Sequence, residues 1–66
     1  MKVSKAKQRQ ADEVTREHPN HIVGSGRYWH WAFYNSAYGM ASGWTSSEKA
    51  ARSAFFRAMY ELGWGQ

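Results

Sequence analysis

The sequence predicts an α+β fold in α-β-β-β-α order: a small antiparallel two- to three-stranded sheet packed by a C-terminal helix, with an N-terminal helix or arm. Three observations carry this. Apolar rings alternate with period two between Arg27 and Asn35, apolar residues recur at three-to-four spacing from Ala51 to Leu62, and the 66-residue chain has room for only one core. Residues 1–19 are assigned to a basic N-terminal helix or arm and residues 20–66 to the sheet-plus-helix domain.

The N-terminal segment is a helix with a thin apolar stripe. Val3, Ala6 or Lys7, Ala11 and Val14 fall near one face, Ser4 is placed to cap, and Pro19 stops the helix by forcing its predecessor out of helical geometry. The alternative is a mobile arm, because isolated helices of this length are marginal. Next come Ile22 and Val23, a short β-branched run closed by the tight turn Gly24-Ser25-Gly26. In the strand that follows, Trp29, Trp31 and Phe33 point to one side and Tyr28, His30, Ala32 and Tyr34 to the other. The first set is the predicted core face, since large aromatics are the obvious filling for so small an interior.

Asn35 to Gly39 reads as a hairpin loop. A strand from about Tyr38 to Trp44 follows, with Met40, Ser42 and Trp44 on one face and Gly43 marking a weak point or bulge. Thr45 and Glu48 have capping-box spacing, which starts the last helix. Ala51, Ala54, Phe55, Ala58, Met59 and Leu62 would lie over the sheet, with Lys49, Arg52, Ser53 and Arg57 outside. Gly63 is the expected left-handed stop, and Trp64 either folds back as a plug or is a free anchor.

Composition excludes several classes. With no cysteine there is neither a disulfide framework nor a thiolate metal site, and no apolar run reaches the roughly 18 residues of a membrane span. Basic residues at the N-terminus are not followed by a signal-peptide apolar segment. The expectation is a soluble, cytoplasmic chain without membrane partners.

Catalysis lacks its usual parts. No G-x-S-x-G elbow is present, and the acids Asp12, Glu13, Glu17, Glu48 and Glu61 all sit on predicted helices. Gly24-Ser25-Gly26 has neither the spacing nor the lysine of a phosphate loop. His18 and His21 straddle Pro19 and cannot share a helical face, so no metal site is expected. No cofactor and no enzymatic activity are expected, although His30 is the one candidate base for an RNase-like toxin.

Net charge is +4, and Lys2, Lys5, Lys7 and Arg9 occupy the first ten residues with no acid among them. These bases, with Arg27, Lys49, Arg52 and Arg57, are the candidate phosphate contacts to DNA or RNA, and Tyr28, His30 and Tyr34 the candidate stacking rings. The same ring face suits intramolecular or homodimer packing first, and a protein partner as well as it suits stacking. For protein binding, the candidate anchors are Tyr34, Tyr38, Phe56, Tyr60 and Trp64.

The segment Gly43 to Leu62 resembles the C-terminal half of a double-stranded RNA-binding domain. That family opens its last helix with a Lys-Lys-x-Ala-Lys pattern that grips phosphates; here the run is Glu48, Lys49, Ala50, Ala51, Arg52, so the resemblance implies phosphate contacts at Lys49 and Arg52. The family's Gly-Pro-x-His loop has no counterpart beyond Gly24, Ser25 and Gly26. By architecture the chain also resembles the arm-binding domains of phage integrases, and in style the small basic accessory proteins of phages and mobile elements. The latter resemblance implies an alternative role as an inhibitor or adaptor of a host protein, such as a defence or transcription enzyme, in the host cytoplasm.

Overall fold

A computed structural model describes residues 2–64, with the Trp64 side chain outside the described set, so its predicted role as plug or anchor lies there too. The order is α1 (Lys5–Glu17), β1 (His21–Ser25), β2 (Tyr28–Asn35), β3 (Gly39–Thr45) and α2 (Glu48–Met59), closed by a π-helical turn over Tyr60–Trp64. The expected α-β-β-β-α order is observed, and the sheet has three strands in the order β1-β2-β3, antiparallel throughout.

Helix α1 starts where Ser4 accepts the Lys7 amide on its hydroxyl at 3.2 Å and ends at Glu17, two residues before Pro19. Its inner stripe uses Lys7 and not Ala6: Lys7 is half-buried, Ala6 exposed and Ala11 buried.

The β1–β2 hairpin turns on two residues, Gly26 and Arg27, between the pair Ser25 and Tyr28. Gly26 has φ of 57° and no non-glycine residue among those described has positive φ, which makes this the turn with glycine first, suited to the strand twist. Gly24 is required for a different reason. A Cβ there would lie 2.3 Å from the Tyr28 carbonyl oxygen and 2.6 Å from Trp29 Cα. The β2–β3 loop, Ser36 to Tyr38, is held by Asn35, whose Oδ1 accepts from the amides of Ala37 (2.8 Å) and Tyr38 (3.2 Å).

Because opposed residues share a face, the two registers sort every strand side chain. Trp29, Trp31 and Phe33 share one face with Ile22, Gly24, Ala41 and Gly43. This face meets α2, with the Phe33 and Phe55 rings edge to face at 5.7 Å between centroids. Gly43 is no bulge: it pairs regularly with Trp31, and a Cβ there would stand 3.1 Å from the Trp31 indole nitrogen. The glycine makes room for that indole.

Two caps differ from expectation. Ser47, not Thr45, caps α2 by accepting the Ala50 amide at 3.1 Å; Thr45 is the last residue of β3 and donates its hydroxyl to the Ser47 carbonyl at 2.8 Å. Glu48 therefore has no reciprocal cap to make and lies 3.5 Å from Arg52. Gly63 is not a left-handed stop either, since α2 widens into the π-helical turn that contains it and its φ is not positive.

The core is also smaller in grain than composition implies. Among the described residues the buried apolar side chains are Ala11, Ala32, Ala51 and Ala58, with Ala32 and Ala51 at 0% exposure. Trp29, Trp31, Phe33, Trp44 and Phe55 are half-buried. Ala51 and Ala58 let α2 come close to one sheet face, Ala32 lies on the other, and the rings fill the margins. No described helix is long and apolar enough to cross a membrane.

Candidate functional site

The second sheet face carries His21, Val23 and Ser25 from β1, Tyr28, His30, Ala32 and Tyr34 from β2, and Met40, Ser42 and Trp44 from β3. Helix α1 lies against it. The Trp44 indole N–H donates to Gln8 Oε1 at 3.0 Å, and the Lys7 ammonium sits 4.8 Å from the centroid of the Tyr28 ring. The α1 and α2 helices thus occupy opposite faces of the sheet.

This overturns the idea of His30 as an exposed stacking ring. It is 5% exposed, beneath α1, with the Trp44 ring edge-on at 4.9 Å. Tyr28 and Tyr34 keep exposed surface, but at opposite ends of β2. The ring set Tyr28, His30 and Tyr34 is consequently not one platform.

His30 instead belongs to a hydrogen-bonded chain. The His18 carbonyl is 2.7 Å from His21 Nδ1, and a carbonyl can only accept, so Nδ1 carries the proton. When both rings are neutral, His21 Nε2 therefore holds a lone pair and accepts from His30 Nδ1, 2.8 Å away. His30 is left with its own lone pair on Nε2. Burial, first, and the neighbouring His21 ring, second, hold His30 below the ordinary imidazole pKa; the Asp12 carboxylate pulls the other way. His30 Nε2 has no protein partner, and no buried polar side-chain atom among the described residues is unsatisfied, so this nitrogen opens onto space.

That space is a cleft of about 190 Å³ between α1 and the sheet. Ala11, Val14 and Val23 line it with the Tyr28 and Trp44 rings, His30 forms part of its floor, and Lys7 stands at its edge. His21 does not line it, which agrees with the Nδ1 side of His30 facing away.

The basic candidates fall into two groups. Lys2, Lys5, Lys7 and Arg9 lie in or just before the first turns of α1, and Lys7 meets Tyr28, the residue after Arg27 in the β1–β2 turn. Lys49, Arg52 and Arg57 are exposed on α2, on the opposite face. Lys7 turns inward to Tyr28 while Lys5 and Arg9 lie on the outer side of the same helix end, and the α2 bases are set apart on the other sheet face. Of the candidate protein anchors, Phe56 (54%) and Tyr60 (64%) are exposed beside the α2 bases, while Tyr34 and Tyr38 are exposed around the β2–β3 hairpin, where Met40 is exposed too.

From sequence His21 is weighed only as a metal ligand and Trp44 only as a strand residue, so neither is placed in this site. The missing signal was the turn: placing it on Gly26-Arg27 fixes Val23 opposite His30 and sets His21 diagonally beside it. Among the described residues no group of three or more histidines and acids is placed to hold a metal ion. No family model, curated protein or solved structure matches the chain.

Proposed function

We propose that the protein is a small non-enzymatic nucleic-acid-binding module that takes phosphates at the α1 N-terminal end, through Lys2, Lys5, Lys7, Arg9 and Arg27, with Tyr28 as the adjoining ring. The observation that carries this is the seat of Lys7 on Tyr28, which joins the acid-free start of α1 to the β1–β2 turn. Lys5, Lys7 and Arg9 gain nothing from the helix itself. Cations at a helix N-terminus oppose the macrodipole, so this end is strongly positive and suited to an anion. Lys5, Arg9 and Arg16 also fall within roughly 40° around the axis at 3.6 residues per turn on the outer face of α1, a stripe that Asp12 interrupts between Arg9 and Arg16. In this reading the protein acts in the cytoplasm, where DNA and RNA are within reach.

Anisotropy titration of an oligonucleotide at two salt concentrations tests it. Three to four phosphate contacts to a single strand predict an affinity loss of roughly 20–50-fold between 50 and 200 mM salt. Lys5→Glu with Arg9→Glu should abolish most binding, and Lys49→Glu with Arg57→Glu should leave it nearly intact. Salt-independent binding would overturn the reading.

Helix α2 supports a second reading, in which Phe56 and Tyr60, ringed by Lys49, Arg52 and Arg57, take an acidic protein partner. Its resemblance-derived phosphate contacts, Lys49 and Arg52, are weaker candidates because Arg52 is already paired with Glu48. Binding lost on reversal of the α2 bases and kept on reversal of the α1 bases would favour this surface.

A further inference from the structure

We propose that the cleft between α1 and the sheet is a pocket for one unstacked nucleobase of a single strand, held by a base N–H donating to His30 Nε2 and by ring packing against Trp44 and Tyr28. The inference rests on the nucleic-acid reading above and adds the form of the ligand.

Four observations lead to it. The volume, about 190 Å³, is below the ~300–1,000 Å³ of sites for drug-sized ligands, so a single planar ring fits and a whole nucleotide does not. The walls are mostly apolar, two aromatic rings with Ala11, Val14 and Val23, and Gln10 and Ser25 add polar groups. The floor presents one lone pair open to the cleft, because the bond from His30 Nδ1 to His21 commits the proton to the other nitrogen. Finally, the Lys7 ammonium stands at the edge over Tyr28, where the strand's phosphate would lie while its base turned inward.

The chemistry of the floor excludes the other small ligands. A phosphate or carboxylate in the cleft would set oxygen lone pairs against the Nε2 lone pair. A hydrocarbon ring would bury that acceptor without a partner, at a cost comparable to a lost hydrogen bond. A ring bearing an N–H satisfies both walls and floor, and the N3–H of uracil is the simplest example. Burial keeps His30 neutral at pH 7, which preserves the acceptor.

Three hexanucleotides of equal charge distinguish this from phosphate binding alone: uridine, N3-methyluridine and an abasic backbone. Stacking of one base contributes ~1–3 kcal/mol, so uridine should bind about 5- to 150-fold more tightly than the abasic strand. N3-methylation should remove much of that advantage, and the His30 Nε2 resonance in ¹⁵N NMR should move with uridine only. Val14→Phe, which fills the cleft from α1, should reduce uridine to the abasic affinity while keeping the salt dependence. Equal affinity for all three strands with an unmoved His30 signal would overturn the pocket and leave the phosphate reading standing. Failure of every strand to bind would remove both.

Discussion

His30 Nδ1 donates to His21 Nε2 across 2.8 Å, and the direction of that bond is dictated from outside the sheet by the His18 carbonyl, 2.7 Å from His21 Nδ1. One added proton can be taken at His30 Nε2 without breaking the chain, but a second would set N–H against N–H. Since the folded pKa of His30 lies below 6.5, the unfolded chain binds more protons in the interval between the two values. Its contribution to stability is therefore fully present above about pH 6.5 and declines as pH falls toward the folded value, below which the loss levels off. Thermal melts from about pH 8 to about pH 5 should show the decline, and His30→Asn, which can still donate to His21, should flatten it. A melting temperature that is constant over this range would contradict the lowered pKa of buried His30.

Gly24→Ala should be severe. The new methyl would meet backbone, the Tyr28 carbonyl oxygen at 2.3 Å and Trp29 Cα at 2.6 Å, which cannot step aside as a side chain could. A cost of about 2–3 kcal/mol is expected from backbone strain, most of the ~3–5 kcal/mol a core of this size supplies. Urea denaturation followed by circular dichroism should find the midpoint shifted sharply down, with part of the population unfolded before any urea is added.

The two hydroxyls before α2 should separate cleanly. Ser47→Ala removes the acceptor of the Ala50 amide and should cost about 1 kcal/mol. Thr45→Val removes the hydroxyl donated to the Ser47 carbonyl while keeping the branched side chain in the strand, and should cost about half as much. Equal effects in chemical denaturation would argue against Ser47 as the cap.

Ala51 has no exposed surface and stands at the contact of α2 with the sheet. Ala51→Leu is favourable by hydrophobicity and neutral by helix propensity, yet it should destabilise by about 1–3 kcal/mol, because the extra carbons have nowhere to go. Ala50→Leu, one residue away and exposed, should change stability by less than about 0.5 kcal/mol. The pair can be compared by urea midpoint.

Much of the fold was legible because local signals agreed with the tertiary outcome. Ser4 and Pro19 bracket α1, the Trp29, Trp31, Phe33 alternation names the face that meets α2, and the Asn35 to Gly39 loop is where its composition puts it. The α2 cap was less legible for a local reason. Thr45, Ser46 and Ser47 are all competent, and only the length of β3 decides among them. Gly63 misled because a widened last turn can absorb a glycine without a left-handed residue. The site was hidden for a longer-range reason. Which helix covers which face depends on where α1 docks, and its inner stripe of Lys7, Ala11 and Val14 is too sparse to announce that it buries His30. Exposure of the rings therefore could not be read from their alternation alone.

Helix α1 is fastened to the sheet by little more than Ala11, the Gln8–Trp44 bond and the Lys7–Tyr28 contact, whereas α2 buries two alanines and meets all three strands. The molecule therefore has two tiers of persistence. In deuterium exchange the α1 amides should gain label well before those of β2 and α2, through an opening that leaves the hairpins paired. Each such opening would momentarily wet the His21–His30 couple, so the lifetime of the docked helix sets how often that buried couple meets solvent.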